Sequence, residues 1–284
     1  MGTPIAFIDK ITKPFYLMGI VNVTPDSFYD GGRFCAVDEA VKHAHVLQEQ
    51  GVDIIDIGGA SSRPGADVVS PEEELRRIVP VIKAVAAFFK GPISVDTTWS
   101  DVALRALDAG AGWVNDISAG RFDKEMPSVI ASSGCSVVLM HSRGKPQTMQ
   151  SGPRYNNVVS DVSRELLEAV ELFEKAGAKK EQIFLDPGIG FAKTVTHNID
   201  LIKGVDKIVE LGYPVVIGTS RKSFIGAITG SPVEERLYGT LGSVAAAFQR
   251  GVRIFRVHDV AATNDFLRVL ASFEDQTWIG SGNG

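Results

Sequence analysis

Four hydrogen-bonding side chains, Asp56, Asp96, Asn115 and Asp186, each close a short apolar run, although they are far apart in the chain. An aspartate at the end of a strand often caps the next helix, and that reading stands for any one of them. Taken together they suit a common ligand. Asp186 lies in Leu185-Asp186-Pro187-Gly188-Ile189-Gly190-Phe191, where two glycines and a proline let a flat molecule approach the backbone and Phe191 offers an apolar wall. A carboxylate there matches a ring edge with two adjacent N–H donors, as in a 2-amino-4-oxo pyrimidine, because charged acceptors make the stronger hydrogen bonds. Thr98 is placed to cap the helix after Asp96, which would free Asp96 to point inward.

A second group is basic. Gly218-Thr219-Ser220-Arg221-Lys222-Ser223 runs from an apolar segment into a helical one. Backbone N–H groups and Lys222 there suit an anion or a carbonyl oxygen, and a plain Ser cap beside exposed basic residues is the alternative. Arg256 and His258 are two apart on a strand and so share a face. With Arg63 they would make a pyrophosphate site, since arginine binds phosphate in two-point fashion. His43, His45 and His197 read as structural.

The elements that must position these residues alternate. Eight β-rich runs end in polar residues: 16–21 into Asn22, 52–55 into Asp56, 92–95 into Asp96, 112–114 into Asn115 and Asp116, 136–140 into His141, 182–185 into Asp186, 214–217 towards Ser220, and 252–255 into Arg256. Helical patterns follow each one. That is the form of a single α/β (β/α)8 TIM barrel, which keeps its chemistry at the C-terminal strand ends. Ser70-Pro71-Glu72-Glu73 reads as a helix start, Ser231-Pro232-Val233-Glu234 as another, and a long helix from Val158 stops at Gly177. Long glycine-rich loops after strands 1 and 2, Asn22 to about Phe34 and Gly58 to about Ser70, are expected side by side over the mouth. Residues 1–277 make one domain, with 278–284 a flexible tail.

The chain has 284 residues, a size suited to one such barrel, and a net charge of -5, which argues against a nucleic-acid partner. Cys35 and Cys135 share no metal or redox spacing and read as reduced thiols. No signal peptide is visible and no stretch approaches the ~20 apolar residues of a membrane span. The expectation is a cytoplasmic protein without membrane partners.

With these residues in view, the chain resembles the dihydropteroate synthases. Asn22-Val-Thr-Pro-Asp26-Ser-Phe28 looks like their first signature, and Asp56-Ile-Gly-Gly-Ala-Ser-Ser-Arg63-Pro-Gly their second. Ser-Val-Asp96-Thr, Asn115-Asp116, Met140-His141-Ser-Arg-Gly, Asp186-Pro-Gly-Ile-Gly-Phe191, Ser220-Arg-Lys222-Ser and Arg256-Val-His258-Asp follow in family order, from about residue 15 to 260. One departure is Ala60, where the family usually has glutamate.

The resemblance implies condensation of 6-hydroxymethyl-7,8-dihydropterin pyrophosphate with 4-aminobenzoate, giving 7,8-dihydropteroate and pyrophosphate in folate synthesis. It implies a pterin site of Asp96, Asn115, Ile117, Met140, Asp186, Phe191, Lys222 and Arg256. Asn22, Arg63, Arg256 and His258 would hold the pyrophosphate, with Mg2+ on Asn22 and Asp26. Phe28, Ser62, Pro64, Phe191 and Ser223 would hold 4-aminobenzoate. Asp96, Lys222, Arg256 and Asn22 would carry catalysis, and the assembly would be a homodimer through the last helices, with Phe248 and Phe266 as candidate contacts and core packing as the equal alternative for both. Three other readings share parts of the pattern: a pterin-binding methyltransferase domain, a non-catalytic pterin or folate binder, and another barrel enzyme acting on a phosphorylated substrate. The methyltransferase has no need of the Lys222, Arg256 and His258 group, the binder no need of a leaving-group site, and the third does not explain the joint Asp96, Asn115, Asp186 and Lys222 pattern.

Overall fold

The computed structural model describes residues 13–24, 32–60, 69–144 and 152–275, with the side chains of 32–35 outside that description. Strand and helix alternate throughout. β1 (Tyr16–Asn22) leads to α1 (Gly32–Glu49), β2 (Ile54–Gly58) to α2 (Pro71–Phe88), β3 (Ile93–Asp96) to α3 (Ser100–Asp108) and β4 (Trp113–Asp116) to α4 (Met126–Ser133). β5 (Ser136–Met140) leads to α5 (Val158–Lys175), and β6 (Ile183–Asp186) to α6 (Val195–Lys203) and a single turn, α7 (Asp206–Val209). β7 (Val216–Ile217) leads to α8 (Ser223–Thr229) and α9 (Leu237–Phe248), and β8 (Ile254–Val257) to α10 (Val260–Glu274).

The strands pair in parallel in the order β6-β5-β4-β3-β2-β1-β8-β7. A parallel bridge between Leu185 and Val215 joins the two ends and closes the ring. Alternation along each strand then sorts the apolar residues into two buried groups. Met18, Ile54, Trp113, Val138, Phe184, Val216 and Ile254 point into the barrel and pack on one another. Their neighbours Leu17, Ile55, Val95, Val114, Leu139, Leu185 and Phe255 point outward, beneath the helices. Strands buried on both faces are what an all-parallel sheet requires.

The helix starts are met unevenly. Ser70 accepts a hydrogen bond from the Glu73 N–H at 3.3 Å, with Pro71 opening α2 as read. Thr98 does not cap α3; its N-cap position is Trp99, and the Asp123 carboxylate accepts from the Ser100 N–H at 2.8 Å instead. At Ser231 the chain makes only a 3-10 turn, Val233–Glu235, before α9. There Arg236 donates to the carbonyls of Ser231 and Arg221, both at 3.1 Å, and fixes the turn. The α1 helix begins at Gly32, so the first loop is shorter than the expected run to Phe34.

Among the described residues no helix is long and apolar enough to cross a membrane. Cys135 is buried and unbridged, and burial pushes its thiol up to about 11. His43 lies 3.2 Å from the Ile20 carbonyl oxygen, His45 stacks on Phe88, and His197 shares the cap of α6 with Thr194. Phe248 is wholly buried in the core and Phe266 packs against it, so Phe248 is no subunit contact. The expected tail 278–284 lies outside the described residues.

Candidate active site

One register brings the polar residues together. Along β1 to β6, Ile20 pairs with Asp56, Gly58 with Asp96, Asp96 with Asn115, and Met140 with Asp186. Met18 of β1 pairs with Arg256 of β8. Asp56, Asp96, Asn115, Asp186 and Arg256 take inward positions above the apolar plug to which Met18 belongs, so the strands that build the core also aim the polar groups into the C-terminal mouth.

Arg256 occupies the centre. Its Nε donates to Asp56 Oδ2 at 2.7 Å and its Nη2 to Asp96 Oδ2 at 2.8 Å. Asn115 Nδ2 lies 3.4 Å from the same Asp56 oxygen. Asp56, which the sequence reading grouped with the others without a role, therefore anchors the arginine. Its second oxygen, Oδ1, has no partner among the described residues. Burial pushes Asp96 up to about 7; Arg256 opposes that rise, and the charges of Asp56, Glu74 and Asp116 add to it. Burial also acts against the Arg256 charge, but Asp56 and Asp96 outweigh it and hold the guanidinium charged. Asp116, next to Asn115, turns outward: it accepts from the Ser118 N–H at 2.8 Å and the Gly120 N–H at 2.6 Å, and shapes the β4–α4 turn.

On the opposite side of the mouth, the segment after β6 is held at each step. Asp186 Oδ1 accepts from the Gly188 N–H at 2.7 Å, and Asn198 Oδ1 from the Gly190 N–H at 2.7 Å. Lys222 donates to the Ile189 carbonyl, Lys193 to the Phe191 carbonyl at 2.9 Å, and the Tyr155 hydroxyl to the Ala192 carbonyl at 3.1 Å. Gly188 has φ +67, and a Cβ there would overlap the His141 carbonyl oxygen, so only glycine fits. The Lys222 ammonium sits 4.7 Å from the Phe191 ring centroid. Burial lowers Lys222 to about 8, with Asp186 opposing; burial raises Asp186, with Lys222 opposing.

The rim carries the remaining candidates. Asn22 ends β1, in register with Gly58, and is half-buried. His258 follows β8, where its backbone N–H donates to Ser220 Oγ at 3.2 Å and its Nδ1 lies 2.9 Å from that oxygen. Ser220 therefore serves His258 rather than capping α8, and Arg221 pairs with Asp259 at 2.9 and 2.5 Å. Ile117 is half-buried just past β4, Met140 is buried, and Ser223 is exposed at the start of α8. Asp26, Phe28, Ser62, Arg63 and Pro64 lie outside the described residues. The loops that hold them leave from paired strands, β1 and β2, as expected. At the root of the second loop, Arg77 donates to the Gly59 carbonyl at 2.7 Å, and Glu74 is buried below, its carboxyl pushed up to about 7 by burial.

Sequence reading missed Lys193 and the partners of His141. Lys193 Nζ is 3.0 Å from His141 Nδ1, and the His141 Nε2–H donates to Glu165 at 3.0 Å. Arg143 also pairs with Glu165 and lies over the Tyr155 ring at 4.0 Å. The one local signal was position, since Lys193 directly follows the Asp186–Phe191 segment.

Comparison with known proteins agrees with this geometry. The family model for the pterin binding enzyme matches residues 18–258. The dihydropteroate synthase of Clostridium beijerinckii is 45% identical over 252 residues, 88% of this chain and 91% of that protein. A structure of Xanthomonas albilineans dihydropteroate synthase with 4-aminobenzoic acid superposes with a TM-score of 0.87 at 44% identity, covering 92% of this chain and 93% of that one. The same organism's enzyme in complex with 7,8-dihydropteroate gives a TM-score of 0.84 at 42% identity, covering 92% and 94%. With strand order, inward register and motif order all in agreement, the chain belongs to the dihydropteroate synthase family of pterin-binding enzymes.

Proposed function

We propose that the protein condenses 6-hydroxymethyl-7,8-dihydropterin pyrophosphate with 4-aminobenzoate, acting as a transferase of the pterinylmethyl group. The observation that carries this reading is the acid-rich layer at the barrel mouth, where Asp56, Asp96, Asn115 and Asp186 surround Arg256 beside Lys222. Asp186 and Asn115 take the amino-pyrimidine edge of the pterin, and Asp96 and Lys222 the remaining ring heteroatoms. Met140, Ile117 and Phe191 supply apolar contacts.

The C–O bond between the exocyclic methylene and the pyrophosphate breaks first, and the oxygen leaves with the electron pair. The electron-rich dihydropterin carries the resulting cation, which the carboxylates of Asp96 and Asp56 favour electrostatically. Arg256 and His258, with Arg63, receive the pyrophosphate. The amine nitrogen of 4-aminobenzoate then forms the C–N bond and releases a proton. Phe28, Pro64 and Phe191 are proposed to border the aryl ring, with Ser62 beside them and Ser223 near its carboxylate.

Asn22 offers an amide oxygen at the strand end, and Asp26 follows it by four residues. Mg2+ takes few protein oxygens and keeps waters and substrate phosphates, so this sparse oxygen set fits it. When bound there, Mg2+ would neutralise charge on the leaving group.

Incubating the protein with the pterin pyrophosphate, 4-aminobenzoate and Mg2+ tests the assignment. Coupled product should appear only when both substrates are present, with pyrophosphate released alongside it. Pyrophosphate release without any coupled product when both substrates are present would reject it.

The assembly proposed is a homodimer. Tyr238 on α9 and Val269 and Phe273 on α10 are exposed by 84%, 60% and 81%, large apolar side chains left uncovered on the last two helices. Light scattering should give twice the chain mass, and Phe273→Asp should give the mass of one chain.

A further inference from the structure

Lys193 is only 4% exposed. Its Nζ lies 2.9 Å from the Phe191 carbonyl oxygen, 3.0 Å from His141 Nδ1 and 3.5 Å from the His141 carbonyl oxygen. None of these hydrogen-bond acceptors is a carboxylate. A buried ammonium without a paired anion is costly, and the lysine is accordingly driven well below its ordinary range, by burial first, with Asp186 opposing. His141 is driven down to about 4, again by burial first, although its bond to Glu165 works the other way. With Nδ1 accepting from Lys193, the imidazole must donate from Nε2 to Glu165. Lys193 is thus built in as a hydrogen-bond donor, with its orientation set by a neutral histidine.

That donor spans two elements that frame the pterin site. His141 directly follows β5, and Phe191 lies on the turn after β6. The turn needs holding. Gly188, Gly190 and Ala192 all have positive φ, at 67°, 85° and 51°. A left-handed alanine is unfavourable by about 1 kcal/mol. Asp186 lies just before this turn and Phe191 within it.

We propose that Lys193 is a positioning residue for the pterin, tying the Gly188–Ala192 turn to the end of β5 so that Asp186 and Phe191 are preset to receive the ring. The inference rests on the pterin-site reading above. Without the amine, the Phe191 carbonyl and His141 Nδ1 lose their partner together, and the turn can leave its left-handed path. Binding the pterin must then order it again.

The test compares wild type with Lys193→Met, which keeps the length and apolar stem but has no donor. The readouts are 6-hydroxymethylpterin affinity by calorimetry, steady-state constants for both substrates, and the melting temperature. In the methionine variant the pterin Kd and the KM for the pterin pyrophosphate should rise about tenfold, the effect of one buried hydrogen bond. At saturating pterin substrate, kcat and the KM for 4-aminobenzoate should stay within about threefold, a change that is small on the scale of a catalytic group. Lys193→Gln is the gentler variant where the methionine does not fold, and its pterin Kd should rise about threefold, because the amide still offers a donor. Wild-type pterin affinity in whichever variant folds, even with a lowered melting temperature, overturns the proposal and leaves Lys193 a packing residue. A wild-type protein that neither binds the pterin nor releases pyrophosphate would instead overturn the functional reading, and this proposal with it.

Discussion

Inside the barrel, Asp56, Asp96 and Asp186 share two cations, Arg256 and Lys222, and Asp56 Oδ1 has no partner among the described residues. At the rim, a second buried network runs from Lys193 through His141 to Glu165 and Arg143. There both imidazole nitrogens and both Glu165 oxygens are bonded. The inner network has more acid than cation, and Asp96 rises to about 7, driven by burial first and then by the charges of the neighbouring acids. The outer one gathers its charge where Glu165 meets Arg143 and Arg164, and keeps His141 neutral while burial drives Lys193 downward. Carboxylates in excess inside a closed barrel favour a ligand that brings N–H donors and develops positive charge. A network with its atoms paired favours nothing further and can only hold its elements still. The difference separates a site from its scaffold, although both are buried and both are polar.

The comparison breaks most sharply at Asp96. Asp96→Asn should lower kcat by about two orders of magnitude, the size of a lost electrostatic stabiliser. Its ionised form is the active one, so in wild type kcat/KM should climb as pH rises through about 7. Lys222 must stay protonated, so the rate should fall again above about 8. These limbs belong to coupled groups, and a pH–rate profile reports the pair. The asparagine variant should lose the acidic limb alone. Stability should move the other way. The folded protein keeps a proton on Asp96 that the unfolded chain gives up, so this group contributes less to stability as pH rises from its ordinary 3.8 towards 7. The variant should therefore melt no lower than wild type at neutral pH. A folded Asp96→Asn protein with full kcat would remove the inner network from the chemistry.

Most of the inner network was legible in the sequence, and almost none of the outer one. Asp96, Asn115, Asp186 and Arg256 stand out because alternation in a strand fixes which way each side chain points, and a polar residue closing an apolar run departs visibly from that pattern. Period alone could not rank Asp116 below Asn115, because adjacent residues take opposite faces and the choice depends on strand register. Lys193 has no such signature. A long cationic side chain ordinarily reads as solvated surface, and its partner His141 lies 52 residues away. The false cap at Thr98 has the same cause: the carboxylate that bonds to the α3 N-terminus comes from Asp123, 23 residues on. Local spacing predicts local partners, and these helices and turns are finished by distant ones.

Glu165 supplies the milder test, directed at the scaffold. Glu165→Gln keeps a carbonyl oxygen that can accept from His141, so Lys193 should stay in place. What it removes is the charge that Arg143 faces. Burial works against that charge, but the hydrogen bonds from His141 and Arg143 outweigh it and hold the carboxyl well below the usual 4.5. A carboxylate with a lowered folded pKa contributes stability above its unfolded pKa and loses it as pH falls towards the folded value. The variant should accordingly be destabilised at neutral pH by about 2 kcal/mol, a charged hydrogen bond's worth, and melt several degrees lower. The gap to wild type should narrow as the solution is acidified below about 4.5, where the wild-type side chain begins to lose its own advantage. Turnover at temperatures where both proteins are folded should differ by less than about threefold, because no reacting atom meets Glu165. Thermal melts across pH, paired with steady-state rates, separate the outcomes. An unchanged melting temperature with a loss of kcat as large as that of Asp96→Asn would place the rim network in the chemistry and erase the distinction between the two regions.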